Sequence, residues 1–294
     1  MQNQTSPLIL TFGVADPVGA IGIQADLASF AAMGCHGLST VTGILIGDTA
    51  KVEDIEVTDA DWVADQARVL LEDMPVAALK VGAVGSVENV SAIAEIVSDY
   101  PDIPLVLDPF VTALPDQGME SEDLLLAIRE LLVPQTTLLV ISAVELARFA
   151  ETWREASTED MLPVDAIKII EMGCEYLLVT GTPCEVGDVA NTLFDESGVV
   201  RHDNWQRIAG TFTGAGSTIS ATVAALLANG LDVPDAVLEA QEFTMAALTH
   251  GQRLGMGKLV PDRYFWARDP EEESGAVDSG DTEPKPNGDP TETH

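Results

Sequence analysis

Between Gly210 and Ala221 the chain reads Gly-Thr-Phe-Thr-Gly-Ala-Gly-Ser-Thr-Ile-Ser-Ala, a glycine-rich turn running directly into an apolar segment that predicts a helix over Ser217–Leu227. Gly214 and Gly216 let the backbone turn tightly and approach a ligand closely, because no Cβ intervenes. A helix leaves its first amide N–H groups unpaired, and its dipole favours negative charge at that end. Such a turn is therefore a ready site for a phosphate or a developing oxyanion. As plain local structure, the same residues make an N-capped helix start with Ser217 as the cap.

The turn has to sit in a fold large enough to present it. With 294 residues, 46% of them hydrophobic, the chain suffices for one large α/β domain with a full core. No apolar run reaches bilayer length, and the start Met1-Gln-Asn-Gln-Thr5 lacks a basic leader region, so a cytoplasmic location is expected. Cys35, Cys174 and Cys184 are odd in number and far apart, which fits a reducing compartment and small core residues rather than a disulfide framework. A formal net charge of −34 argues against nucleic acid or an anionic membrane as partner. A nucleoside triphosphate would meet a repulsive field and would have to arrive with Mg2+. Part of that acidity is local: residues 267–294 are rich in Glu, Asp, Pro, Gly, Ser and Thr, and predict a disordered acidic tail behind a folded domain of residues 1–266.

Along the chain, strands and helices alternate. Leu8–Val14 reads as a buried strand, followed by the turn Ala15–Gly22 and a helix over Ile23–Met33. Strands are predicted again at Leu38–Ile46, Ala77–Val81, Ile103–Leu107, Thr137–Ile141 and Tyr176–Thr180. Helices fall between them, one opened by a capping-box-like Thr58-Asp59-Ala60-Asp61 and one capped by Ser86. Glu185–His202 reads as hairpin material with its turn at Asp195-Glu-Ser-Gly198, and a last helix is predicted over Pro234–Leu254. This pattern implies a mostly parallel sheet covered on both faces, with ligands beyond the carboxyl ends of its strands.

Three features should then converge at one rim: the Asp16 turn, Asp108 at the end of Leu105-Val106-Leu107, and the Gly214–Ser217 turn. A carboxylate at a strand end facing an anion-binding turn suits a Mg2+–phosphate ligand, although each Asp alone serves equally well as a turn residue or cap. Together, in this order, they point to phosphoryl transfer.

The motifs resemble the hydroxymethylpyrimidine/phosphomethylpyrimidine kinases of thiamine biosynthesis, in the ribokinase-like superfamily. The likeness runs from Leu8 to about Arg263 and is carried by Asp16-Pro17 with Gly22-Ile23-Gln24-Ala25-Asp26-Leu27, Leu79-Lys80-Val81-Gly82 with Gly85-Ser86, Leu105-Val106-Leu107-Asp108-Pro109, Leu178-Val179-Thr180-Gly181, and Gly214-Ala215-Gly216-Ser217-Thr218-Ile219-Ser220-Ala221. The resemblance implies a three-layer α/β/α sandwich with a sheet of about nine strands, a homodimer, and transfer of the γ-phosphate of ATP to the hydroxymethyl group of a substituted pyrimidine or to its monophosphate. It implies that Gly214, Ala215 and Gly216 form an anion hole for the transferring phosphoryl group and that Ser217 stands at the general-base position. Asp16, Gly19, Ile21, Gly22, Gly47, Ala83 and Phe110 fall on the substrate side. Asp108, Ser142, Thr180, Gly181 and Thr213 fall on the ATP side, with Asp108 and Glu145 toward Mg2+.

The sequence departs from the family at these same places. Ser217 stands where the family has Cys, or Asp in pyridoxal-kinase relatives, and an unassisted serine hydroxyl is a poor proton acceptor. Gly19-Ala20-Ile21-Gly22 replaces Gly-Gly-Ala-Gly, Gly47 replaces a pyrimidine-contacting Gln, and Ala83 a pocket Met. Ser142 replaces an Asn, and Gly181-Thr182-Pro183 a Gly-Gly-His, which together predict weakened affinity for Mg·ATP. Two functions remain open from the residues: a small-molecule kinase with altered substrate or weak activity, or a ribokinase-fold binding protein that has lost catalysis. A pyridoxal-type kinase is a third.

Overall fold

The computed structural model describes residues 6–110, 114–115, 119–155, 161–184 and 187–268. The tail expected to begin at residue 267 lies outside the described residues from Asp269 onward.

In chain order the elements are β1 (Leu8–Ala15), α1 (Gly22–Ala32), β2 (His36–Gly47), β3 (Val52–Val57), α2 (Ala60–Asp73), β4 (Val76–Val81), α3 (Val87–Asp99), β5 (Leu105–Leu107), α4 (Met119–Ala127), β6 (Leu138–Ser142), α5 (Ala143–Ala150), α6 (Leu162–Glu171), β7 (Tyr176–Pro183), β8 (Asp188–Asp195), β9 (Gly198–Gln206), α7 (Ala215–Ala228) and α8 (Val233–Thr249). They form one nine-stranded sheet ordered β3-β2-β1-β4-β5-β6-β7-β8-β9. The central pairs are parallel, while β2–β3, β7–β8 and β8–β9 are antiparallel. The expected α/β/α sandwich is what forms.

Side chains alternate across each strand, and the core divides accordingly. Leu10, Phe12, Leu79, Val81, Leu105, Leu107, Leu139, Ile141, Leu177 and Val179 pack on one face against α2 to α6. Their neighbours Ile9, Ala78, Val106, Leu138, Val140 and Leu178 pack on the other against α1, α7 and α8. Each fully buried Leu or Phe contributes about 1.5–3 kcal/mol. On this second face α7 presents Ala221, Ala224 and Ala225, all fully buried, so its backbone lies close to the sheet.

Several boundaries differ from the sequence reading. Helix α7 begins at Ala215 rather than Ser217, because Gly214 takes the N-cap position with φ 95° and no side chain caps the helix. Ser217 is therefore an internal first-turn residue and not the cap. At α2 the capping-box-like signal resolves to a single cap, Asp59, which accepts from the Asp61 and Trp62 amides. Helix α8 ends at Thr249. Strand β3 has no counterpart in the sequence reading, since Glu53, Asp54 and Glu56 disguise it. It pairs with β2 at the sheet edge, where those charges reach water.

Candidate active site

The parallel strands β1, β4, β5, β6 and β7 all end on one rim, and Asp16, Asp108, Ser142 and Thr180 follow or close them there. The turn after β1 is built around Asp16. Its Oδ1 accepts from the Val18 amide at 3.0 Å, and its Oδ2 from those of Ala20 and Ile21 at 2.9 and 3.0 Å. Gln24 Oε1 accepts the Asp16 amide at 2.9 Å. Three backbone donors thus take up the Asp16 carboxylate, which makes it the organiser of this turn rather than a free charge. Gly22 adopts φ 61°, and a Cβ there would lie 2.2 Å from the Val14 carbonyl oxygen, so this glycine is demanded by packing.

Beside the turn lies a cavity of about 410 Å³, lined by Asp16, Ala20, Ile21, Leu45, Phe110 and Thr213, and by the β2–β3 connection from Gly47 to Val52 together with Lys258. Of its lining, Ile21 and Leu45 belong to a small apolar cluster with Ala83 and Val260, against which Phe110 packs. Phe110 holds φ 52°, a left-handed conformation rare for a bulky side chain. Gly47 abuts its own hairpin, since a Cβ would meet the Lys51 carbonyl oxygen at 2.8 Å, so the backbone there leaves no space for a side chain. Gly19 lines a separate, smaller cavity on the other side of the turn.

The N-terminus of α7 adjoins the same turn. Intrahelical bonding begins with the Thr218 amide donating to the Gly214 carbonyl at 3.0 Å, so the amides of Ala215, Gly216 and Ser217 precede the ladder. A Cβ added at Gly216 would meet nothing within 4 Å, which puts open space beside these donors. Gly214 is the opposite case, its Cβ falling 2.0 Å from the Ala20 carbonyl oxygen. Arg263 joins the two turns. It is 4% exposed and donates through Nη1 to Gly19, through Nη2 to the carbonyls of Ala20 and Gly214, and through Nε to Thr218 Oγ1. Burial lowers its pKa to about 10. The guanidinium remains charged at neutral pH but is committed to these acceptors.

Asp108, 5% exposed, accepts from Ser220 Oγ at 2.8 Å through Oδ2. Burial pushes its pKa up to about 6, against the pull of Lys80 and Ser220 and with further upward pressure from Glu145 and Asp26. Lys80 is itself buried, with Nζ 2.9 Å from Asp26 Oδ1, while Thr11 Oγ1 donates to Asp26 Oδ2 at 2.7 Å. Lys80 points to the same sheet face as Ala78 because the two are two residues apart on β4. At the end of the neighbouring strand β6, Ser142 and Glu145 form a capping box on α5: Glu145 Oε2 accepts from the Ser142 amide and hydroxyl, both at 2.9 Å, and the Glu145 amide donates to Ser142 Oγ. On β7, Thr180 Oγ1 donates to the Ile141 carbonyl, and Gly181 takes φ 73° with open space at its missing Cβ.

The structure therefore gathers Asp16, Ile21, Gly47 and Phe110 around one cavity, with Ala83 in the cluster behind Ile21 and Leu45, and sets the α7 N-terminus beside the turn they share; Thr213, expected on the ATP side, lines this same cavity instead. Lys80, Asp26, Arg263, Ser220 and Lys258 were not singled out as site residues. Lys80 within Ala77-Ala78-Leu79-Lys80-Val81 and Asp26 within an otherwise apolar helix carried the signal: isolated charges inside elements whose neighbours are core.

The family profile described as Phosphomethylpyrimidine kinase matches residues 16–262, nearly all of this architecture. The chain belongs to that family. Among its relatives, the hydroxymethylpyrimidine/phosphomethylpyrimidine kinase of Streptomyces coelicolor is 31% identical over 267 residues, covering 90% of this chain and 96% of the relative. The enzyme of the same name from Escherichia coli is 28% identical over 259 residues, covering 88% and 97%. Among solved structures, pyridoxal kinase of Bacillus subtilis in an ADP complex superposes with a TM-score of 0.80 at 24% identity, covering 90% of this chain and all of that one. Phosphomethylpyrimidine kinase of Clostridium difficile gives 0.68 at 23% identity over 83% of this chain. The fold is theirs, and membership in the family makes the chain a small-molecule kinase. No helix among the described residues is long and apolar enough to cross a membrane.

Proposed function

We propose that this kinase transfers the γ-phosphate of ATP to the hydroxymethyl group of hydroxymethylpyrimidine or to its monophosphate. The observation that carries this reading is the α7 N-terminus: three amides ahead of the helical ladder, open space at Gly216, and the 410 Å³ cavity adjoining through Thr213 and Ala20. The cavity suits an aromatic heterocycle, with Phe110, Ile21 and Leu45 as apolar lining and Asp16, Thr213 and Lys258 among its polar groups.

In-line transfer needs acceptor and donor on opposite sides of the moving group. The cavity belongs to the β1–β2–β3 side, so the nucleotide is assigned to the β6–β7 side, against Ser142, Thr180 and Gly181. In the reaction the acceptor oxygen forms its bond to the γ-phosphorus as the bond to the β–γ bridging oxygen breaks, and ADP leaves. Backbone amides of Ala215, Gly216 and Ser217 face the charge that builds on the phosphoryl oxygens. Ser217 Oγ is placed by the resemblance at the general-base position; a serine hydroxyl there would accept a hydrogen bond from the acceptor hydroxyl, and the proton leaves to the transferred phosphoryl group or to water. A loose transition state releases that proton late, so positioning and the amide dipoles carry most of the rate without a strong base.

The residues present fit Mg2+. Asp108 and Glu145 each keep one carboxylate oxygen with no assigned hydrogen bond or ion pair among the described residues, although no cluster of three or more candidate protein ligands occurs there. Mg2+ usually takes one or two carboxylates and completes its shell with water and phosphate. Bound there, it would neutralise charge on the triphosphate. We also propose a homodimer, supported by the exposed apolar side chains of Ile44 and Ile46 on β2 and Trp62 and Val69 on α2.

Calorimetric titration with Mg·ATP, alone and with hydroxymethylpyrimidine, followed by a product assay, tests the reading. ADP formation dependent on the pyrimidine is expected. Pyrimidine binding without nucleotide binding would instead make the protein a carrier or sensor.

A further inference from the structure

Strands β7 and β8 fall out of step at the rim. Val179 pairs with Thr192 and Thr182 with Ala190, so Thr180 and Gly181 together oppose the single residue Asn191. This is a bulge, and such irregularities re-aim the backbone of the longer strand. The Gly181 amide donates to Asn191 Oδ1 at 2.9 Å instead of to a ladder carbonyl. Asn191 Nδ2 in turn donates to Gln241 Oε1 of α8 at 2.8 Å. Gln241, 1% exposed, also accepts from Trp205 Nε1 at 2.8 Å and donates through Nε2 to Asp203 Oδ2 at 2.9 Å. Asp203 is held by Arg201 through two contacts of 3.0 Å.

The ends of this chain of bonds fix its direction. An ionised carboxylate only accepts and an indole N–H only donates. Asp203 therefore requires the Gln241 amide nitrogen on its side, and Trp205 requires the Gln241 oxygen on the other. That oxygen then requires the Asn191 amide nitrogen, which leaves Asn191 Oδ1 facing Gly181. Burial favours the neutral form of Asp203, but its bonds from Arg201 and Gln241 outweigh that and hold its pKa below the usual carboxylate value. The Arg201–Asp203 pair on β9 thus dictates which atom meets the backbone of β7. Gly181 stands at the end of this path, at positive φ and with open space at its missing Cβ.

We propose that Asn191 and Gln241 are positioning residues for the nucleotide, holding the Thr180–Gly181 bulge as the wall against which it lies. This rests on the assignment of the nucleotide to the β6–β7 side. Neither side chain touches the proposed phosphoryl site, and their effect is to be read in nucleotide affinity rather than in chemistry.

The test compares full-length wild type with Asn191→Ala, Gln241→Met and Trp205→Phe by calorimetry with Mg·ADP, steady-state kinetics and thermal melting. Asn191→Ala and Gln241→Met are expected to raise the Mg·ADP Kd and the KM for ATP about tenfold, the size expected from losing one buried hydrogen bond. The KM for the pyrimidine should stay within about twofold and kcat within about threefold of wild type. Trp205→Phe removes a donor but leaves the Asp203–Gln241–Asn191 path, so it should lower the melting temperature with little change in Kd. If Asn191→Ala does not fold, Gln241→Met carries the same test from α8. Unchanged Kd in a folded Asn191→Ala or Gln241→Met protein, or an equal rise in Trp205→Phe, overturns the proposal while leaving the kinase reading intact. A wild-type chain that binds no Mg·ADP overturns both.

Discussion

Arg263 Nη2 donates to the Ala20 carbonyl at 2.6 Å, tying the segment that follows α8 to the turn that opens α1. The same nitrogen reaches the Gly214 carbonyl at 3.1 Å, so one buried guanidinium sets the spacing between the Asp16 turn and the Gly214 turn. Arg263→Met would leave these carbonyls without their donor. We expect a loss of about 2–4 kcal/mol in urea unfolding and a fall in kcat/KM exceeding what the lost stability explains. Wild-type kcat/KM in a folded Arg263→Met protein would show that the spacing does not depend on this contact.

The two glycines of the turn before α7 should separate cleanly. Gly214→Ala puts a methyl group against the Ala20 carbonyl oxygen at φ 95°, and about 3 kcal/mol or more of stability should be lost. Gly216→Ala meets no neighbour and gains helix propensity, so it should melt at or above the wild-type temperature, by at most about 1 kcal/mol. Its methyl group occupies the open space at the proposed anion site, and kcat should fall at least about tenfold. An active, stable Gly216→Ala variant would move the phosphoryl group elsewhere.

Ser217→Cys restores the residue type that the family resemblance places at this position. A thiol is more acidic than a serine hydroxyl and its thiolate more readily formed, but late proton release limits the gain, so kcat should rise, by no more than about tenfold, at pH 8 with the KM for ATP little changed. Ser217→Ala should cost less than about tenfold, since the amide of residue 217 is retained. A Ser217→Cys variant no faster than wild type would show that proton removal does not limit turnover.

Asp108 makes stability depend on pH in a direction opposite to most carboxylates. Its folded pKa is raised to about 6, so its contribution is fully present below the ordinary value near 4 and is lost as pH rises through 6. In chelator-treated protein, Asp108→Asn should remove this loss, making the variant more stable relative to wild type at pH 7 than at pH 4 by about 1–3 kcal/mol. Denaturant titrations at the two pH values read the difference directly. An equal effect at both would show that the buried carboxylate is not strained by ionisation.

Much of the architecture was legible because its cause is local. Ile9 against Leu10, Val106 against Leu107 and Leu138 against Leu139 alternate between two covered faces, and each run ends in a turn residue. The glycine turn before α7 and the strand-end Asp108 were equally plain. What escaped depends on residues far apart in sequence. Nothing near Asp16 announces that its carboxylate is bonded to three amides, because that follows from the path of the turn. Arg263 reads as a surface charge until the Ala20 and Gly214 carbonyls are brought around it. Asn191 and Gln241 are ordinary polar residues in sequence, and only the pairing of β7 with β8 reveals the bulge they serve. Strand β3 was missed for a different reason: it is a sheet edge, where an acidic strand needs only one apolar side.

Thr49 accepts the Gly257 amide at 3.0 Å through its hydroxyl, and its carbonyl accepts the Lys258 amide at 2.9 Å. The wall of the proposed substrate cavity therefore joins an early hairpin to a loop that follows the last long helix. During synthesis, β1, β2 and β3 leave the ribosome long before Lys258 does. The hairpin must wait for these partners while the rest of the sheet and both turns around Arg263 are made. Closure of the cavity spans 208 residues of sequence, a long loop whose entropy cost must be met before its contacts form. A truncated or stalled chain lacking the segment after α8 would carry most of the core and no completed pocket.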